Sequence, residues 1–217
     1  RQTIEKLLVR LESGEDIALI SDAGTPLISD PGYRLVAQAR NRGITVTPIP
    51  GACAAIAALS VSGLPTDSFL FGGFLPAKTG QRKTTLNEFK PATQTLVFYE
   101  APHRILETVT DMVEIFGQQR QGFLAREISK TFETFIQGTL SELQQQISLD
   151  TNQQRGEIVL VIAGAEEKTA TTTVSAEKVL KLLLNELPAS KAASLTAKIC
   201  GADKKAMYQV ALQFQGK

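Results

Sequence analysis

The stretch ALISDAGTPLISDPGYRLV, residues 18–36, limits the fold more than any other part of the chain. Ile17–Ser21 is a nearly all-apolar run, of the kind buried on both faces of a parallel sheet. It breaks at once into Asp, Gly, Thr and Pro, then restarts as a helix with Asp30 as cap and Pro31 at the first helical position. That helix is expected to run to about Arg42 and stop at Gly43. ITVTPI (44–49) reads as the next strand, and PGACAAIAALSVSG turns into a helix rich in alanine. Strand and helix alternating at this pace predict right-handed βαβ units on a parallel sheet.

Ahead of this lies an amphipathic helix with Ile4, Leu7, Leu8 and Leu11 on one face and Gly14 as its stop. No strand and no initiator Met precede it, so an N-terminal portion of the α/β domain is expected to be missing. A second series follows. SFLFGGF (68–74), TLVFYE (95–100), GFLARE, TFETFIQG and EIVLVIAG (157–164) read as strands. TGQRKTTLNEF reads as a polar, basic loop leading into a helix, and Pro102 opens a helix ending near Gly117. Thr139-Leu140-Ser141-Glu142 is a capping-box pattern.

These elements divide the chain into the remainder of an N-terminal α/β lobe (1–75), a second α/β lobe (76–165), a solvated linker (166–174) and a basic helical domain (175–217). In the last, Ser175 can cap a helix carrying Leu180, Leu183, Leu184 and Leu187, ended by Pro188. Ala197, Gly201, Met207 and Val210 then have the spacing of a helix-turn-helix, with Lys204 and Lys205 opening its second helix.

Charge separates these parts. The 217 residues carry a net +1, but from Thr173 onward seven lysines face Glu177, Glu186 and Asp203, a net of +4. A basic appendage on a mildly acidic body fits a polyanionic partner, and equally a solvated helical tail. No apolar run approaches the roughly 20 residues that span a bilayer, so no membrane partner is expected. One histidine and two distant cysteines, Cys53 and Cys200, give no metal-ligand set and no disulfide framework, and the default setting is reducing and cytoplasmic.

In an open parallel sheet ligands bind beyond the carboxyl ends of the strands. Two such ends stand out: Ser21–Pro26 and Pro50–Ala54. Their small residues let the backbone approach a ligand, while Asp22 and Thr25 supply polar contacts; a tightly packed turn would look the same. A G-x-G-x-x-G loop, a Walker A loop and a G-x-S-x-G elbow are all absent. In YEAPHR, His103 and Arg104 sit in a first helical turn, where the dipole disfavours cations unless an anion lies in front of them. Glu100 is a candidate base or orienter of His103; the alternative is a Glu100–Arg104 surface ion pair. Arg126, Glu127, Lys130 and Glu133 form another charged cluster, read as catalytic or as alternating exposed positions on a strand pair. Arg82 and Lys83 read as a mobile basic loop touching a polyanionic partner, or as a solvated one.

SDAGTPLISDPG, PIPGACAA, GFLPAK, FYEAPHR, AREISKTFET and RGEIVLVIAG, in this order, resemble the tetrapyrrole-methylase superfamily of S-adenosylmethionine-dependent methyltransferases. The closest likeness is to its branch that methylates a cytidine ribose 2′-hydroxyl of 16S rRNA. The resemblance runs from about residue 5 to 164, and the basic tail fits that branch's C-terminal helix-turn-helix. It implies two α/β lobes with S-adenosylmethionine in the cleft between them, usually in a homodimer acting on 16S rRNA or the 30S subunit. By position it makes Asp22, Thr25, Ala52, Cys53 and Ala54 cofactor contacts, with Tyr99, Gly156 and Glu157 beside them. Rival readings are a methylase of a small tetrapyrrole-like molecule and a non-catalytic nucleic-acid-binding protein.

Overall fold

The alternation read between residues 68 and 164 closes into one sheet. The computed structural model describes residues 2–22, 24–166 and 176–214. Its strands are β1 (Phe69–Phe74), β2 (Thr95–Glu100), β3 (Gln121–Arg126), β4 (Thr134–Thr139) and β5 (Ile158–Ile162), in the order β1-β2-β5-β3-β4. Only β1 and β2 pair in parallel; β2–β5, β5–β3 and β3–β4 are antiparallel. The all-parallel expectation therefore fails in this lobe. The turn at 127–133 is too short for a crossover and permits only a hairpin, whereas the long connection between β1 and β2 carries a helix.

Period-two alternation sorts the core. Leu96, Phe98, Leu124, Ile158, Leu160 and Ile162 face one side of the sheet, and Val97, Phe123, Ala125, Val159 and Val161 the other. Helices α1 (Gln2–Glu12), α2 (Tyr33–Asn41) and α3 (Ala54–Val61) precede the sheet; α4 (Thr79–Phe89), α5 (Ile105–Phe116) and α6 (Leu140–Leu149) lie within its connections. α3 covers the second face through Ala55, Ala58 and Leu59. Ile105, Val109, Met112, Leu140, Leu143 and Ile147 cover the first. The α6 capping box forms as read: Thr139 Oγ1 accepts from Glu142 N at 3.2 Å, and Glu142 Oε2 accepts from Thr139 N at 2.7 Å.

Two expectations are corrected. Residues 17–21 and 44–49 are not strands: among the described residues neither has ladder partners, so Ile20 and Ile49 stay 85% and 86% exposed. A strand buried on both faces needs neighbours at both edges, and these segments pair neither with each other nor with another described segment. α2 starts at Tyr33 rather than at Pro31, because Leu27, Ser29 and Gly32 adopt positive φ and hold the loop open for a further turn. β1, which lies before the boundary expected between residues 75 and 76, is hydrogen-bonded to β2, which lies after it.

The chain divides into two units, Arg1–Ala165 and Glu166–Lys217. The second contains α7 (Ala176–Leu184), α8 (Ala189–Cys200) and α9 (Lys204–Phe214) around a core of Leu180, Ala192, Ala193 and Ala211. Leu183, Leu184, Leu187, Met207 and Val210 pack onto it, as their spacing requires. Gly201 takes the left-handed conformation, φ 64°, that turns α8 toward α9. The cap expected at Ser175 and residues 167–174 of the expected linker lie outside the described residues.

Candidate cofactor and substrate site

Two loops meet in front of α3. Thr25 Oγ1 donates a hydrogen bond to the carbonyl of Ala52 at 3.0 Å, tying the Ser21–Pro26 loop to Pro50–Ala54 across 27 residues of sequence. Asp22, Gly24, Gly51 and Ala52 are exposed, and Cys53 and Ala54 are half-buried. Cys53 precedes α3 in an extended conformation and offers no side-chain cap, so the dipole of the helix opens toward these loops.

Tyr99, near the carboxyl end of β2, reaches the same place. Its Oη accepts the backbone N–H of Ala55 at 3.3 Å. Burial pushes its phenol upward, and the neighbouring Cys53 thiol adds to the shift. Phe71 and Phe74 pack against its ring at centroid distances of 5.0 and 5.6 Å. β1 can present both rings because it bulges between Phe71 and Gly73. An added Cβ at Gly72 would collide with the Phe98 ring, and one at Gly73, where φ is 61°, would press on Ser29 Oγ at 3.3 Å. This bulge escaped the sequence reading, although a glycine pair inside an aromatic strand is its signal.

The YEAPHR turn sits at the same carboxyl edge of the sheet but is built differently from expectation. Glu100 is buried, and its carboxylate accepts from Arg104 Nη2 at 2.6 Å, Thr108 Oγ1 at 2.6 Å and Ala101 N at 2.7 Å. The Glu100–Arg104 ion pair exists, yet inside the protein rather than on its surface. With three donors on its oxygens and its side chain fully buried, Glu100 holds the turn; a general base needs access to the substrate hydroxyl. His103 is exposed in the 3-10 turn Pro102–Arg104 that leads into α5.

Gly156 and Glu157 immediately precede β5 at this edge. Glu127, at φ 53°, accepts the Glu157 N–H at 2.8 Å and pairs with Lys130 at 2.9 Å, which also meets Glu157 at 3.2 Å. The Glu157 N–H, then Lys130, holds the Glu127 carboxyl below the ordinary glutamate range; Glu127 in turn raises Lys130. Arg126 is buried with Nη2 donating to Thr134 Oγ1 at 2.8 Å, so it is no exposed strand position.

Arg82 and Lys83 do not form a mobile basic loop: α4 starts at Thr79, and Arg82 is fully buried. Arg82 Nε donates to Asp111 Oδ2 at 2.7 Å, and Lys83 pairs with Glu114 at 2.6 Å. Arg82, Leu86 and Phe89 share the inner stripe of α4 at helical spacing, which places the guanidinium against α5. Arg82 is thereby removed from the RNA-binding candidates, and Lys83 is engaged by carboxylates. In the other unit, Lys204 and Lys205 are exposed in the first turn of α9.

Comparison with known proteins decides between the readings. Residues 1–144 match the family Tetrapyrrole (Corrin/Porphyrin) Methylases. The chain belongs to the tetrapyrrole methylase family. Residues 170–215 match a second family, the RsmI C-terminal HTH domain, so this methylase sequence continues into the helix-turn-helix read from the lysine-bearing tail. The chain is 54% identical over 214 residues to ribosomal RNA small subunit methyltransferase I of Pseudomonas aeruginosa, covering 98% of this chain and 76% of that protein. It is 46% identical over 216 residues to the protein of the same name from Escherichia coli O157:H7, covering 100% and 76%. Among solved structures, the methyltransferase CobJ shares the fold with a TM-score of 0.56 at 15% identity, over 75% of this chain and 70% of that one. A Thermus thermophilus uroporphyrin-III C-methyl transferase complexed with S-adenyl homocysteine gives 0.51 at 18% identity, over 75% and 73%. No described helix is long and apolar enough to cross a membrane.

Proposed function

We propose that the chain is an S-adenosylmethionine-dependent methyltransferase that modifies a cytidine ribose 2′-hydroxyl in 16S rRNA, works in the cytoplasm and acts as a homodimer. The observation that carries this reading is the Thr25–Ala52 hydrogen bond, which joins two side-chain-poor loops in front of an uncapped helix start. Their donor set fits the cofactor: exposed backbone groups at residues 24 and 51–52, the α3 dipole for a carboxylate, and Asp22 to accept from ribose hydroxyls. Ala52, Cys53 and Ala54 leave room for a flat base against the backbone. Bound there, S-adenosylmethionine supplies an electrophilic methyl on a sulfonium, which an oxygen nucleophile held in line accepts.

The chain's own residues then have three tasks. Asp22, Thr25 and residues 52–54 bind the cofactor. Tyr99 fixes the start of α3, and Gly156 and Glu157 close the same edge of the sheet. His103, exposed in the turn that Glu100 and Arg104 hold, takes the proton from the ribose hydroxyl. Lys204 and Lys205, exposed in the first turn of α9, suit RNA phosphate, and such a basic appendage favours a nucleic acid over a small tetrapyrrole as substrate.

Methylation of full-length 16S rRNA and of 30S particles, followed by mapping of the modified ribose, tests the reading directly. A methyl on a cytidine 2′-oxygen in either substrate is expected; transfer to neither overturns it. By calorimetry, Asp22→Ala is expected to bind S-adenosylmethionine about tenfold more weakly, the loss of a hydrogen bond to a charged acceptor. Unchanged affinity removes Asp22 from the site.

A further inference from the structure

The helix-turn-helix unit carries an exposed aromatic side chain outside its core. Tyr208, in the middle of α9, is 42% exposed. Phe214 is equally exposed, yet Lys181 Nζ lies over its ring at 4.7 Å. Among the described residues no ring and no cation covers Tyr208.

Tyr208 follows Lys204 by four residues and Lys205 by three, so the three side chains share one face of α9. Together with Gln209 and with Ser190 at the start of α8, they line a shallow cavity of about 480 Å³. Neither lysine has an ion-pair partner among the described residues. The nearby carboxylate, Asp203, accepts the Ala206 N–H at 2.8 Å as the cap of α9. Two cations in the first turn of a helix oppose its dipole, an arrangement that an external anion relieves. Uncovered aromatic, flanking cations and a cavity shared by two helices match what an unpaired nucleotide requires: a face for the base and charge for its phosphates.

We propose that this cavity binds one unpaired nucleotide of RNA, its base stacked on Tyr208 and its adjoining phosphates held by Lys204 and Lys205. The inference rests on the reading of the tail as an RNA-binding unit and adds a preference for single strands. Stacking is indifferent to which base is present, so the subsite contributes affinity and orientation while sequence choice lies elsewhere. A base paired in a duplex has no free face to offer.

The test uses the full chain and fluorescence anisotropy with a labelled single-stranded RNA and a blunt duplex of the same sequence. Tyr208→Ala is expected to weaken single-strand binding about tenfold, with Tyr208→Phe and Tyr208→Trp within about twofold of the parent. Replacing both Lys204 and Lys205 by Gln should lower the slope of log affinity against log salt by about 1.4, while Tyr208→Ala leaves that slope unchanged. Retained S-adenosylmethionine binding by calorimetry shows that each variant keeps its cofactor lobe. Wild-type affinity in Tyr208→Ala, a loss in Tyr208→Phe as large as in Tyr208→Ala, or equal Tyr208 dependence on duplex would overturn the subsite and leave the methyltransferase reading standing. A parent chain that binds neither RNA fails the subsite and the tail's role together, whereas methylation of rRNA reports on the lobe separately.

Discussion

Arg104 is the residue whose replacement best separates structural from chemical roles in the YEAPHR turn. Its guanidinium is 2.6 Å from a Glu100 carboxylate whose side chain is fully buried. Removing the cation strands that charge away from water, and breaking one partner of a buried pair costs roughly 3–5 kcal/mol. Arg104→Ala is therefore expected to melt well below the parent, with methylation falling in step with the folded fraction. His103→Ala, altering an exposed side chain of the same turn, should melt with the parent yet methylate far more slowly. If Arg104→Ala instead melts normally and loses only methylation, Arg104 is a substrate contact. At this scale the sequence is legible where small residues cluster: the loops containing Thr25 and Ala52 stand out in the chain, and they are hydrogen-bonded to each other. It was misleading where a charge is buried. Nothing near Arg82 in the chain announces Asp111, 29 residues on, as its partner.

At the scale of elements, α6 shows how a local pattern becomes a pH-dependent contribution. Thr139 and Glu142 exchange hydrogen bonds, and the Thr139 N–H followed by its hydroxyl holds the Glu142 carboxyl below the ordinary glutamate value. A carboxylate with a lowered folded pKa stabilises fully above its unfolded value and loses that contribution as pH falls through the lowered one. Thr139→Ala is expected to cost about 1 kcal/mol at neutral pH, read from denaturant melts. Glu142→Gln should make the acid side of the stability profile shallower; an unchanged profile would mean that the carboxylate titrates alike in both states. Capping boxes and alternating strands are local, which is why α6 and β1 to β5 could be read from the chain. Strand order is not local. β5 enters between β2 and β3, and no residue in any of the three encodes that choice by itself. Likewise the apolar runs at 17–21 and 44–49 have strand composition, but the ladder that makes a strand must come from a neighbour.

At the scale of the whole chain, the β1 edge of the sheet is an apolar surface that calls for a cover. Among the described residues β1 has β2 on one side and no strand on the other, and it exposes Phe69, Leu70, Phe71 and Phe74. The outer side of α3 adds Ile56 and Val61, about half exposed, opposite the Ala55, Ala58 and Leu59 stripe buried on the sheet. An apolar edge strand invites pairing with another chain, and proteins avoid uncontrolled association by covering such an edge in a defined way. The proposed homodimer uses this surface, each copy shielding the other. Sedimentation equilibrium is then expected to give twice the 23.4 kDa chain mass. Replacing Ile56 and Val61 together by Lys should give the monomer mass without altering the circular dichroism spectrum, because both side chains point away from the core. A parent chain that sediments as a monomer removes the dimer, and a double variant that stays dimeric moves the interface away from α3. Since α3 also begins at the cofactor loops, dissociation is expected to loosen S-adenosylmethionine binding as well, and calorimetry on the monomeric variant measures that coupling.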